Sequence, residues 1–485
     1  MEGEIFSEIR LPCGRKVQNR LVKVALYEHL SHLLGGPPNE YHFALYSTWS
    51  KANWGMILTG NVQVSRTHLT LGRDMVVPSV LDEKGLHPYR KLAEVIHEGD
   101  GTLAIMQLSH AGRQSCNFLG GRYPFIPPLA PSAIPVASST TGIVSWLFHR
   151  LLFQTPRAMS SSDVEGAISD FIRGAELAIL SGFDGVQLHV AHGYLLAQFM
   201  SPKSNKRTDT YACHSLALLQ RIISGIRKMA PSGFILGLKL NTSDYSVIGE
   251  KSVQEERVLE HLLTLASWGT IDFIEISGGD YDNPEFMQSA STSPRQVFFA
   301  NFSSKAVRAL SSAQIPSSPL ILLTGGLRSP GQLLTALSSK HAHLLGVGRA
   351  SILCPDLPLV LRYRLASDTG EESYFPFKPE PDLRLRFNDR RLWSWLWILI
   401  PKINLVGAGL AMAWYGMVIR GLASRKPGST QTKPRKDHYS VGGLEAILRM
   451  WIWPRAPELL SIRLEATVII VILGLISWVF SALRR

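Results

Sequence analysis

An alternation of short apolar runs with amphipathic stretches, repeated eight times, is the strongest constraint on the fold. Runs of four to eight mostly apolar residues are typical of buried strands, and the stretches between them show the 3.6-residue period of helices. Eight β-α units in about 350 residues predict a TIM barrel, an α/β fold with a parallel sheet. A doubly wound sheet is the alternative, but no Gly-x-Gly-x-x-Gly motif opens a helix near the start. The predicted strands are Arg20 to Ala25, Gly55 to Gly60, Thr102 to Gln107, Gly182 to Leu188, Phe234 to Leu240, Asp272 to Ser277, Leu320 to Thr324 and Leu344 to Val347.

Several other elements are predicted around these strands. Residues 5–19 have the alternation of a β-hairpin, with a turn at Cys13-Gly14. Residues 117–156 are rich in Pro, Ser and Gly, which predicts a long binding loop or lid. The helix that begins near Ser160 has Ser161, Ser162 or Asp163 as candidate caps. The predicted helices are Glu40 to Asn53, Tyr89 to Glu98, Ser160 to Leu180, Ser252 to Trp268, Ser303 to Leu310 and Pro330 to Ser338.

Composition excludes some classes of function. The four cysteines lie far apart without a C-x-x-C pair, so the sequence supports neither a zinc site nor an iron-sulfur cluster. The formal net charge is +12, but residues 420–485 alone hold eleven Lys or Arg against four Asp or Glu. The basic charge is therefore concentrated in the C-terminal tail and does not indicate a nucleic-acid groove. The acidic start without an apolar run predicts no leader and a cytosolic barrel.

The C-terminal region has a different character from the rest of the chain. Ala466 to Leu483 is eighteen residues without a charge, flanked by Arg463 and Arg484, which predicts a transmembrane helix with a buried soluble helix as the alternative. Leu392 to Ile419 is also apolar, but it carries Lys402 near its centre, so an interfacial position is favoured over a second span. The expected organisation is a barrel at 1–375, a linker at 376–390 and a membrane-associated tail at 391–485.

The residues that carry chemistry follow the fourth predicted strand. His189, His192 and Tyr194 lie where a strand gives way to a loop, which is where α/β folds collect reactive groups. Each histidine alone is more often a satisfied core or capping group. The whole run His189-Val190-Ala191-His192-Gly193-Tyr194, with its continuation, resembles the signature of the Old Yellow Enzyme family of FMN-dependent ene-reductases, in a fungal-type version with a hydrophobic tail. The continuation includes Gln198, Phe199, Ser201, Pro202, Asn205, Arg207, Asp209 and Tyr211.

This resemblance, which covers roughly residues 5 to 365, implies a set of FMN-binding residues. It implies that Gln107 pairs with the flavin pyrimidine edge, that Lys239 lies beside flavin N1, and that an arginine near strand eight contacts the phosphate. Glycines after strands seven and eight leave room for backbone N–H groups to approach that phosphate. The full set that the resemblance implies is Ala25, Tyr27, Gly60, Gln107, Lys239, Gly325, Gly326, Gly348 and Arg349.

The resemblance also implies a reaction. NADH or NADPH would reduce FMN, and flavin N5 would pass hydride to the β-carbon of an enone whose carbonyl is held by His189 and His192. Tyr194 would donate the proton to the α-carbon. The sequence departs from the family pattern at Tyr27, where Thr or Cys is common, and in the shortened stretch from Ala212 to Ala217. Two alternatives are an FMN barrel that passes electrons to a membrane quinone and an inactive, membrane-bound interaction module.

Overall fold

Eight parallel strands close into a barrel in a computed structural model, which describes residues 2–136, 150–241, 251–277, 294–325, 327, 329–366, 380–381, 383, 404–425 and 436–453. Each strand pairs with the next, and the eighth pairs with the first through Leu345 and Leu21. The strands are β1 Leu21–Lys23, β2 Met56–Gln63, β3 Leu103–Ser109, β4 Gly185–Val190, β5 Ile235–Asn241, β6 Phe273–Ser277, β7 Leu320–Thr324 and β8 Leu344–Val347. The predicted (β/α)8 architecture is confirmed.

A helix follows each strand, as the right-handed β-α crossover requires. These helices are α1 Glu40–Ser50, α2 Glu83–His97, α3 Ser161–Leu180, α4 Ala217–Met229, α5 Lys251–Ser267, α6 Pro294–Ser312, α7 Pro330–Ser338 and α8 Leu357–Ala366. Short helical segments occur at Glu2–Ile5, Gly112–Gln114, Leu195–Met200, Arg349–Leu353 and Lys436–Ser440. Three further short strands pair outside the barrel wall or at its edge, at Met75–Val76, Leu129–Ala130 and Arg157–Ala158.

The cap of α3 differs from the prediction. Its N-cap is Ser160, whose hydroxyl accepts a hydrogen bond from the backbone N–H of Asp163. The Asp163 carboxylate in turn accepts from the backbone N–H of Ser160 at 2.8 Å, which completes a capping box. The proposed caps Ser161, Ser162 and Asp163 are therefore wrong, because all three already lie inside the helix.

The N-terminal hairpin closes the bottom of the barrel. Ile9–Arg10 pairs antiparallel with Lys16–Val17, as predicted, and Gly14 takes a φ of +89° in the turn, a conformation that favours glycine. Leu11 and Val17 pack against inward-facing barrel residues such as Phe273. The interior below the strand ends is thus filled with side chains, so chemistry is confined to the opposite, C-terminal mouth.

Two C-terminal helices, α9 Asn404–Ala423 and α10 Gly443–Trp451, pack on each other, and α9 also packs on α1 of the barrel. Trp414 is fully buried and donates its Nε1–H to the carbonyl of His438 at 2.9 Å. Much of the segment Leu392 to Ile419 that was predicted to lie at a membrane interface is therefore packed against protein, while its residues 392–403 lie outside the described residues. Within the described ranges, no helix is both long and apolar enough to cross a bilayer. The predicted span Ala466 to Leu483 lies outside those ranges.

Candidate active site

Polar side chains gather at the C-terminal mouth because the carboxyl ends of parallel strands meet there. His189 on β4 is paired in register with Lys239 on β5, and Lys239 is paired with Glu275 on β6. All three side chains are buried. Three ionisable or polar groups on adjacent strands therefore share one small region at the mouth.

The structure brings the predicted substrate-binding residues together. The ring centroids of His189 and His192 are 5.0 Å apart, and those of His189 and Tyr194 are 4.7 Å apart, both in edge-to-face geometry. Tyr194 is buried and caps the short helix Leu195–Met200. The local chain folds this way because His192 and Gly193 both take positive φ angles, +58° and +70°, which turn the chain sharply after β4.

His189 is held as a neutral imidazole. Burial keeps the pKa of His189 well below its usual value, and the nearby charge of Lys239 lowers that pKa further. The His189 Nδ1 accepts a hydrogen bond from the backbone N–H of Ala191 at 3.4 Å. The ring Nε2 is then the protonated nitrogen, so a neutral His189 can donate a hydrogen bond from that atom.

Residues that the sequence did not single out hold the loop of His192 in place. His192 Nε2 lies 2.9 Å from the Oγ of Ser277 at the end of β6. Gln114 donates its Nε2–H to the carbonyl of His192 at 2.6 Å, and Gln198 donates to the carbonyl of Gly193 at 2.7 Å. Gln198 belongs to the run that carried the family resemblance, whereas Ser277 and Gln114 gave no separate signal.

Lys239 has a partner that the sequence did not predict. Its Nζ lies 3.0 Å from a carboxylate oxygen of Glu275, and the side chains of Lys239 and Glu275 are 5% and 0% exposed. Gln187 on β4 donates its Nε2–H to the other Glu275 oxygen at 2.9 Å. The predicted cation is therefore part of a buried Lys–Glu–Gln network and is electrically balanced within the chain.

The described residues fit a flavin mononucleotide at this mouth. Gln107 at the end of β3 donates its Nε2–H to Asn61 at 2.5 Å, while its buried Oε1 has no hydrogen-bond partner among the described residues. The buried Oγ of Thr324, at the end of β7, likewise lacks one within the described chain. The backbone turns at Gly325 with a φ of +107°, and a Cβ there would meet only Phe299. These features supply an amide acceptor, a hydroxyl donor and open backbone, as the cofactor requires; Gly326 lies outside the described residues.

Arg349 lies directly after Gly348 in the short helix that follows β8. Its guanidinium is 3.6 Å from a carboxylate oxygen of Glu380 and lies over the ring of Tyr415 in α9 at 5.8 Å. Tyr415 donates its hydroxyl hydrogen to Glu380 at 2.7 Å. The arginine predicted to bind phosphate is thus also contacted by the C-terminal part of the chain.

Gly60 on β2 is closely approached by the loop that follows β1. A Cβ on Gly60 would lie 2.7 Å from the carbonyl of Leu26 and 2.8 Å from Glu28. The Gly60 N–H donates to the hydroxyl of Tyr46 at 2.8 Å and, more weakly, to Glu28. Glycine is needed there because the chain's own loop approaches the backbone closely, and the predicted contact of Gly60 with the flavin ring stays a prediction.

The other two positions on this side are partly accessible. Ala25 is half-buried two residues after the end of β1, and it packs against the apolar cluster inside the barrel. Tyr27 is also half-buried, and its hydroxyl lies 3.0 Å from Nδ1 of His29, with the two rings 5.6 Å apart. Tyr27 is therefore fixed by the loop that follows β1.

Comparison with known proteins places this geometry in a family. The family model described as "NADH:flavin oxidoreductase / NADH oxidase family" matches residues 4–368. An NADH-dependent flavin oxidoreductase of Neonectria sp. (strain DH2) is 37% identical over 364 residues, which are 72% of this chain and 46% of that protein. The corresponding protein of Hypocrea jecorina (strain QM6a) is 33% identical over 73% of this chain and 88% of its own length.

The similarity extends to solved structures. The structure of the old yellow enzyme homologue from Zymomonas mobilis superposes with a TM-score of 0.59 at 20% identity, over 78% of this chain and 94% of that one. At that identity the structural match supports the barrel fold alone, and the family model shows which family the chain belongs to. The chain belongs to the NADH:flavin oxidoreductase / NADH oxidase family, a family of FMN-dependent enzymes similar to Old Yellow Enzyme.

Proposed function

We propose that this protein reduces the carbon–carbon double bond of an α,β-unsaturated carbonyl compound with NADH or NADPH as reductant. The observation that carries the proposal is the convergence of His189, His192 and Tyr194 at the barrel mouth, beside Lys239. FMN supplies hydride to the β-carbon when it is bound. Relatives named NADH-dependent flavin oxidoreductases support NADH as the reductant. Their organisms, Neonectria and Hypocrea, support placing the chain among fungal-type members.

The histidine pair holds the substrate oxygen. A neutral His189 donates one hydrogen bond to the carbonyl, and His192, fixed by Ser277 and Gln114, donates the second. Negative charge grows on that oxygen as the β-carbon is reduced, so donors that are already oriented stabilise the transition state more than the ground state. Because His189 stays neutral over the physiological range, it acts as a hydrogen-bond donor and not as a proton source.

Tyr194 completes the reaction by donating a proton to the α-carbon. A phenol is a suitable acid for an enolate carbon, because the carbon–hydrogen bond that forms is a much weaker acid than the phenol. The tyrosine ring packs edge-to-face against His189 with 4.7 Å between the ring centroids, so Tyr194 would lie beside a substrate whose carbonyl His189 holds.

The cofactor contacts in this proposal follow the strand order around the mouth. Gln107 would hold the pyrimidine edge, Lys239, which is paired with Glu275, would lie near flavin N1 and stabilise negative charge there, and Arg349 would bind the phosphate together with backbone N–H groups at the glycines. Ala25, Tyr27 and Gly60 would border the ring on the β1–β2 side. The phosphate glycines are Gly325, Gly326 and Gly348.

The test is the double variant His189→Ala, His192→Ala in the detergent-solubilised full chain. We expect FMN to remain bound, as judged from its visible absorbance, while enone turnover falls by about 10² to 10³. The exposed His87→Ala in α2 is the matched control and should have no effect. Turnover within about twofold of wild type would exclude this role for the pair.

Anaerobic reduction separates the alternatives. Rapid flavin reduction by NADPH followed by reoxidation with a quinone but not an enone would favour the quinone-linked barrel. Protein that lacks flavin absorbance even after FMN is added back would favour the interaction module. Reoxidation by an enone supports the ene-reductase.

We also propose that Ala466 to Leu483 anchors the chain in a membrane, with the barrel on the cytosolic side. The basic residues that precede this run favour the cytosolic side, and Arg484-Arg485 would then cross the membrane. Truncation after Arg455 should release the protein from carbonate-washed membranes. Full-length protein in the soluble fraction would exclude the anchor, and protease protection of the barrel in sealed vesicles would exclude the orientation.

A further inference from the structure

Exposed apolar side chains form a rim on one side of the barrel mouth. Large apolar side chains at the surface of a monomer are usually scattered singly, and contiguous patches mark interaction surfaces. Here Tyr123 is 82% exposed and Phe125 is 64% exposed, at the tip of the loop that follows β3. Three chain segments that one small core joins carry six exposed apolar side chains, here called the rim: Leu34, Tyr123, Phe125, Ile126, Leu448 and Ile452.

One small core holds these three segments together. Cys116 and Leu119 pack with Leu33 of the loop after β1, and with Met412 of α9 and Trp451 of α10. The loop tip is tied to the same core, since the rings of Phe118 and Phe125 are 5.9 Å apart and Asn117 accepts a hydrogen bond from the Phe125 N–H at 2.7 Å. The rim is therefore one supported surface, built partly by the C-terminal helices, and it lies on the face that carries the site.

The rim has a positive border. Arg66, Arg150 and Arg449 are exposed next to it, and of these Arg449 is ion-paired with Glu445 at 2.6 Å. Arg150 lies near the small core that supports the rim, because Leu152, two residues later, accepts a hydrogen bond at its carbonyl from the backbone N–H of Asn117. Apolar and aromatic tips surrounded by arginines are typical of surfaces that rest on an anionic lipid bilayer.

The chain also leads from the rim towards the proposed anchor. The described chain ends at Trp453, whose ring contacts Tyr41 at 4.7 Å and lies under the guanidinium of Arg420 at 4.3 Å. Ala466 follows thirteen residues later. Trp453 directly follows the rim residue Ile452, so a connection of that length keeps this part of the rim within about 45 Å of the anchor.

We propose that the rim rests on this bilayer and that the barrel mouth takes apolar, membrane-partitioned enones directly from it. The inference rests on the proposed enone reduction and on the proposed anchor, and it narrows the substrate to lipophilic unsaturated carbonyl compounds. Tyr123, Phe125 and Ile126 are the residues that enter the lipid head-group region, to a depth of about 5 to 10 Å.

The first test measures depth without turnover. Full-length protein is reconstituted into vesicles of phosphatidylcholine with phosphatidylserine, carrying an environment-sensitive fluorescent amino acid at position Tyr123 or, as control, at Leu180 on the opposite barrel end. We expect brominated lipids to quench the probe at Tyr123 at least about twice as strongly as the probe at Leu180. Equal quenching of the two probes overturns the proposal. It is also overturned if the probe at Tyr123 is shielded from water only at protein concentrations where the protein self-associates, because a second copy of the protein would then cover the rim.

The second test uses the triple variant Tyr123→Ser, Phe125→Ser, Ile126→Ser, with Leu180→Ser, Leu359→Ser as matched control. The apparent KM for a long-chain alkyl enone in vesicles should rise at least about threefold in the rim variant only, while kcat and the KM for a short, water-soluble enone stay unchanged. Equal changes for both substrates overturn the proposal. If neither substrate is turned over by the wild type, enone reduction has failed, and the depth measurement still decides whether the rim meets lipid.

Discussion

Glu275 offers the sharpest test of how the site is built. Its carboxylate is completely buried, 3.0 Å from Lys239 Nζ, and its second oxygen accepts from Gln187 at 2.9 Å. Replacing it with Gln keeps the shape and one hydrogen bond but removes the negative charge. Lys239 is then left as a buried cation without its carboxylate.

The size of the effect follows from the geometry. At 3.0 Å and an effective dielectric constant of about 20, the attraction between the two charges is roughly 5 to 6 kcal/mol. Much of it offsets the cost of removing both groups from water, so the net value of the pair is small. When only the carboxylate is lost, the cost of keeping the Lys239 cation away from water is no longer compensated. We therefore expect Glu275→Gln to lower the free energy of unfolding by about 3 to 5 kcal/mol.

Denaturant unfolding of the flavin-free, detergent-solubilised chain measures this value without a contribution from cofactor binding. The double variant Lys239→Met, Glu275→Gln removes both charges and should lose less than about 2 kcal/mol, which makes the two substitutions strongly non-additive. A loss below about 1 kcal/mol for Glu275→Gln, or simple additivity in the double variant, would refute the view that Glu275 balances Lys239.

Three further predictions follow from named contacts. Ser160→Ala removes the cap of α3 and should cost about 1 kcal/mol of unfolding free energy, with the exposed Ser161→Ala as the control that leaves the cap intact. Burial lowers the pKa of His42 and of His110 to about 3, so below pH 6.5 the unfolded chain binds more protons at these residues than the folded chain does. Each residue should therefore remove up to about 1.4 kcal/mol of stability per pH unit between pH 6 and 4. The unfolding free energy of His110→Asn should fall less steeply over this range than that of the wild type, and equal slopes would contradict the prediction. Arg349→Ala should weaken FMN retention by about 10- to 100-fold. Glu380→Gln removes a carboxylate that competes with the phosphate for Arg349, so it should strengthen FMN retention. If flavin-release titrations do not give the order Glu380→Gln, wild type, Arg349→Ala from tightest to weakest, Arg349 does not hold the phosphate.

Much of the fold was predictable because local patterns and turns agree with it. Leu320–Thr324, Pro330–Ser338 and Leu344–Val347 have the predicted bounds, since Thr-Gly-Gly and Ser-Pro mark the ends of apolar runs sharply. Helix α6 was predicted only from Ser303 to Leu310, yet it begins at Pro294. Proline at the first helical position was the available signal, and it was missed because the aromatic residues that follow it do not show helical periodicity.

The site was predictable only where its residues are close in sequence. His189, His192 and Tyr194 lie within six residues, so one motif identifies all three. Glu275 reaches Lys239 through the register of neighbouring barrel strands, 36 positions later in the chain, and that pairing becomes visible only when the barrel closes. For Gly60, the sequence indicates that a small residue is needed but not what approaches it. Its neighbour, the chain's own Glu28, is set by the path of the loop that follows β1.

The C-terminal helix α9 shows why hydrophobicity alone does not locate a segment. A helix that is apolar on all sides can be buried equally well in lipid and in a protein interior. Its polar groups distinguish the two environments, because a buried donor needs a specific acceptor that lipid does not offer. In α9, Trp414 donates to the carbonyl of His438, and Arg420 donates to the carbonyl of Arg449 at 2.9 Å while lying over the ring of Trp453. These partners come from the chain just after α9, so the helix is specified for a protein environment, whereas the run from Ala466 to Leu483 keeps the composition of a membrane anchor.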